Sequence, residues 1–140
     1  MKKMLVAVLL FMILISGARY QQEFSLLNYF SGDYYVYTNE KLNESSINLG
    51  SCYMNRERPK ETKIKGESMI VKNFEPSSAI NLLDAKVVET EYLEDGTIVI
   101  YAYTNLIDEK VKIGNNYVNL QIAYKEEYSV IGWPLILGSF

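Results

Sequence analysis

The sequence predicts an α+β fold: an antiparallel sheet with two short helices packed on one face, preceded by a signal peptide. Three observations predict it. From residue 86 onward, β-branched and aromatic residues alternate with polar ones, and the alternation breaks at Glu94-Asp95-Gly96 and at Gly114-Asn115-Asn116, the pattern of consecutive hairpins. Two earlier stretches, residues 19–30 and 73–85, carry apolar residues at three- and four-residue spacing instead. The first eighteen residues form a separate class: a positive start at Lys2 and Lys3, an uninterrupted apolar run over 4–15, and small residues at Ser16 and Ala18.

That opening is the three-part pattern of a secretory leader cut after Ala18. Its apolar run falls short of the roughly 20 residues that span a bilayer, which favours a cleaved leader over an uncleaved anchor. The division expected is therefore residues 1–18 as leader and 19–140 as a single domain, a size that fits one core. Losing Lys2 and Lys3 with the leader takes the basic count from 14 to 12 against 17 acidic residues, a formal charge of −5. Nucleic acid is excluded as a partner by this balance, since its binding draws on Lys and Arg neutralising phosphates, and anionic membrane surfaces are disfavoured on the same ground.

Within the domain, Tyr20, Phe24, Leu26, Leu27 and Phe30 predict a short helix that stops at Ser31-Gly32, where glycine supplies the left-handed turn. Residues 33–38, tyrosine-rich around Val36, read as the first strand. Residues 39–65 are a polar loop region with a short strand near 49–54; a loop of this length is uncommon in a compact domain and is a natural place for binding. Residues 67–72 form a strand that sends two of Met69, Ile70 and Val71 into the core. Pro76 opens a second helix at a position where its missing N–H costs nothing, Ala79, Ile80, Leu82 and Leu83 give it an apolar stripe, and Asp84 argues for early termination.

Residues 97–104 place Ile98, Ile100 and Ala102 on one side and Val99, Tyr101 and Tyr103 on the other. Residues 117–124, read as one strand, divide into Val118, Leu120, Ile122 and Tyr124 against Tyr117, Asn119, Gln121 and Ala123. The aliphatic sets should lie beneath the helices, leaving a second face of tyrosines and amides. A last strand over 128–131 is interrupted at Gly132-Trp133-Pro134 before Leu135-Ile136-Leu137 ends at an edge.

Gly66-Glu67-Ser68 leading to a helix that ends at Ala85, Val-Asn-Leu-Gln-Ile-Ala at 118–123, and Ile131-Gly132 with Pro134-Leu135-Ile136 together resemble the C-terminal part of the YwmB-like family of exported Gram-positive proteins. The resemblance covers roughly residues 66–137. It implies a TATA-box-binding-protein-like fold, a curved antiparallel sheet with helices on one face, and an extracytoplasmic compartment. It supplies no catalytic residues. Residues 39–65 stand where family members have more structure, and the Gly138-Ser139-Phe140 ending replaces their acidic-aromatic one, so this chain resembles a reduced member.

Catalytic chemistry has little to draw on. No histidine is present, which removes the commonest general base and zinc ligand, and Cys52 is the only cysteine, so no internal disulfide forms. Glu89 and Glu91 on one strand face are the carboxylate pair an envelope-polymer hydrolase would need, though a solvated edge strand explains them as well. Glu94-Asp95, Asp108-Glu109 and Glu126-Glu127 read as turn and loop charges, too sparse in oxygen ligands for calcium. No catalytic residue, metal or cofactor is expected. The expected site is a binding face of Tyr101, Tyr103, Tyr117, Asn119 and Gln121, joined by Trp133, because tyrosines and amides give contact area at low entropic cost. An envelope protein or a glycan is the expected partner; the membrane enters only through an uncleaved N-terminal segment.

Overall fold

A computed structural model describes residues 4, 6, 23–37, 52–54 and 64–136. Most of residues 1–22 and of 39–65 lie outside these residues, and with them most of the expected leader and of the expected polar loop. The protein is α+β, with nine strands among the described residues: β1 Asp33–Tyr37, β2 Cys52–Met54, β3 Gly66–Lys72, β4 Lys86–Tyr92, β5 Ile98–Tyr103, β6 Val111–Ile113, β7 Asn116–Val118, β8 Leu120–Tyr124 and β9 Tyr128–Trp133. Seven of them form one sheet in the order β2-β1-β3-β9-β8-β5-β4, and every pairing in it is antiparallel. β6 and β7 make a separate hairpin. Among the described residues, no helix is long and apolar enough to cross a membrane.

The period of two decides the sides of the sheet. Register pairs run Tyr34 to Met69 to Ile131 to Ile122 to Ile100, a row that crosses five strands on one face. Met69, Ile122 and Ile131 are fully buried there with Leu120 and Ala102, and Ile100 packs against them, as the alternation predicted. Roofing this face is an α-helix, α1, Pro76–Leu82, which contributes Ala79 and the following Leu83 to the same core. Pro76 sits in its first turn as expected. The helix ends through paired bonds from the Asp84 N–H to the Asn81 carbonyl and from the Ala85 N–H to the Ile80 carbonyl, with Asp84 in the left-handed region at φ 46°. That is the glycine-type helix stop built with an aspartate.

The first predicted helix is not formed within the described residues; its opening, 19–22, lies outside them. Over Leu26–Asn28 the chain makes only a single 3-10 turn, capped by the Ser25 hydroxyl accepting from the Leu27 N–H. A longer helix would compete with a tertiary bond, because the Leu26 N–H donates to Glu67 on β3. Leu26 and Phe30 nonetheless reach the core as the spacing anticipated, and Phe30 meets Phe74 edge-on at 5.4 Å.

Three further expectations are corrected. Residues 117–124 are two strands, not one: the break at Asn119 arises because its side chain turns inward to hold the 104–107 loop, and Val118 belongs to the small hairpin with β6, which alternation alone did not reveal. Gly132 does not interrupt the ladder, since it pairs with both Ser68 and Gln121. Finally, the segment after Trp133-Pro134 does not run off at an edge. It folds back so that Ile136 covers Ala123 and Val130 on the second face. A Cβ on Gly132 would stand 2.5 Å from the Ile136 Cα, so this return passage requires glycine.

Candidate functional site

The second face of the sheet is therefore divided. Its centre is a small apolar cluster of Ala123, Val130 and Ile136, with Ile70 and Tyr128 packed against it. Gln121 belongs to this closure: it is 6% exposed, and its Oε1 accepts the Ile136 N–H at 2.8 Å. Toward β4 the same face stays open. Tyr101 and Tyr103 lie there half-buried, two residues apart on β5, and their register partners are Glu89 and Lys86.

Glu89 and Glu91 share this side and are exposed, as the sequence placed them. The Tyr101 hydroxyl donates to Glu91 Oε2 at a long 3.4 Å. Burial and then the negative Glu91 carboxylate push the Tyr101 phenol above the ordinary tyrosine value, with Glu89 adding to the effect. Among the described residues, neither carboxylate has an ion-pair partner.

The other three expected face residues are elsewhere. Asn119 is fully buried. Its Oδ1 accepts from the Thr104 N–H, and its Nδ2 donates to the Thr104 and Ile107 carbonyls, so both of its N–H donors and its oxygen are engaged by the loop. Trp133 is 3% exposed and points to the helix side, edge-on to Phe24 at 6.0 Å. Tyr117 stands on the separate hairpin, 52% exposed with the Lys110 ammonium 4.8 Å from its ring centroid. Only Tyr101, Tyr103 and Gln121 are brought to one face.

One polar centre was not anticipated. Glu67 is fully buried on the helix side of β3 and accepts four hydrogen bonds: Oε1 from the Ser25 hydroxyl at 2.7 Å and the Tyr34 hydroxyl, Oε2 from the Leu26 N–H at 2.9 Å and Trp133 Nε1 at 2.5 Å. A signal for it existed: period two puts Glu67 on the same inward side as Met69 and Val71. With no opening to solvent, this carboxylate ties segments together. Among the described residues no group of His, Cys, Asp and Glu could hold a metal ion. Neither a family model, nor a curated protein, nor a solved structure matches the chain.

Proposed function

We propose that this chain is an exported, non-enzymatic binding module that holds an envelope protein or glycan at the bacterial cell surface. The observation that carries the reading is the placement of Tyr101 and Tyr103 beside the tail-covered centre of the second face, half-exposed next to the exposed carboxylates of Glu89 and Glu91. Aromatic rings with a polar end, fixed on a strand rather than a loop, give contact area with little entropy to lose on binding. The leader pattern of residues 1–18 and the likeness of residues 66–137 to the YwmB-like family support the extracytoplasmic compartment and a TATA-box-binding-protein-like curvature of the sheet.

A hydrolase gains no specific support. Glu89 and Glu91 stand side by side on one exposed strand, whereas glycoside hydrolysis uses carboxyls that flank the scissile bond. The test compares cells expressing the full chain with cells expressing Tyr101→Thr/Tyr103→Thr, cross-linked from outside the cytoplasmic membrane. The wild type should yield a defined adduct that the variant loses while keeping its cooperative unfolding. An adduct retained by the variant, or polymer hydrolysis abolished by Glu89→Gln/Glu91→Gln, would overturn the proposal.

A further inference from the structure

Among the described residues, β4 closes the sheet on one side with nothing over it: of Lys86–Tyr92 only Val88 is partly covered, and Tyr92 is 76% exposed. The Leu93 N–H bonds the Thr97 carbonyl at the β4–β5 turn. Alternation in an antiparallel ladder then turns the amides of Glu91 and Glu89 toward β5 and those of Thr90 and Tyr92 outward. The outer edge thus offers two N–H and two C=O groups, with Glu89 and Glu91 at its non-bonded positions on the second face and Thr90 and Tyr92 on the helix side.

An open edge of this kind recruits another strand unless something opposes it. Here the opposition is selective. A second copy of β4 would bring Glu89 and Glu91 against the same carboxylates, and like charges directly opposite on paired strands repel. A strand with Lys or Arg at alternate positions would meet the two exposed carboxylates where side chains stand closest, in non-hydrogen-bonded pairs. Its intervening apolar residues would lie beside exposed Tyr92. The irregularity between Val87 and Glu89 limits the usable edge to the turn-proximal half of β4.

Resting on the binding-module reading above, we propose that β4 docks an extended segment of a partner protein carrying Lys or Arg at alternate positions, added as a further antiparallel strand. This assigns the partner class as a basic protein segment rather than a glycan.

The probe is a blocked peptide alternating Lys with Val, titrated against the full chain, beside three controls: the same peptide with Glu for Lys, and two N-methylated forms in opposite phase. Binding should appear for the Lys peptide and for the one N-methylated form whose edge-facing amides remain free. It should weaken about tenfold in Glu89→Lys/Glu91→Lys, which should prefer the Glu peptide, and should fall with added salt. Equal binding of both N-methylated peptides means charge attraction without strand addition and overturns the proposal. So does stable self-association of the full chain that Glu89→Lys/Glu91→Lys abolishes. If the Lys peptide fails while the tyrosine-dependent adduct persists, strand docking falls and the binding module stands; loss of tyrosine dependence removes the module itself.

Discussion

A carboxylate taken out of water costs several kcal/mol unless donors replace its hydration, and Glu67 has four from three separate segments. Replacement by Gln keeps one acceptor oxygen for the Leu26 and Trp133 N–H groups, which can only donate, and turns an NH₂ toward two hydroxyls that can accept. Glu67→Gln should therefore cost about 2 kcal/mol, and Glu67→Leu, which takes the shared acceptor away from all four donors, clearly more. Urea unfolding followed through the single tryptophan, Trp133, measures both; wild-type stability in the Leu variant would refute the tie. Tyr101 supplies a pH test. Its phenol is raised by burial first and by Glu91 second, so the unfolded chain releases this proton near the ordinary 10.0 while the folded chain still holds it. The stabilisation is intact below that pH and is lost as pH climbs through the folded value. Phenolate absorbance of wild type minus Tyr101→Phe should show the late ionisation, and Glu91→Gln should move it back toward 10.0.

At the scale of elements, the return of the chain over β9 hangs on one missing side chain. Gly132 has Ile136 backbone atoms at contact distance where a Cβ would be, so Gly132→Ala must displace the tail or bend the strand. The expected loss is about 1–3 kcal/mol, with faster exchange of the Ile136 amide as its bond to Gln121 opens. Unchanged stability and exchange would show that the tail is not seated there. Asn119 illustrates the same dependence in a loop: three bonds from one amide fix Thr104 and Ile107 and divide what periodicity read as a single strand. Thr104 in turn donates its hydroxyl to the Leu83 carbonyl, binding the end of the helix to the end of β5.

At the scale of the molecule, among the described residues, β3, β9 and β8 form the middle of the sheet, paired on both sides and covered on both faces, while β4 is an open edge and β6–β7 a separate hairpin. Amide exchange should be slowest in the central three and fastest in the outward amides of β4 and in the hairpin, since exchange follows the cost of local opening. Protection of the Thr90 and Tyr92 amides equal to that of Met69 would contradict an open edge.

By itself the sequence determined what local chemistry dictates. Alternation put Ile100, Ala102, Leu120 and Ile122 under the helix, Pro76 opened that helix, and Gly96 and Gly114 marked turns that they occupy at positive φ. Tertiary structure decided what depends on partners distant in the chain. Whether an amide or an indole faces solvent or a buried acceptor depends on which strand lies beside it, so Asn119 and Trp133 left the expected face and Glu67 entered the core. Period two assigns a side chain to a face, but only the fold decides whether a returning tail covers that face, as at Gln121, or leaves it open, as at Tyr101.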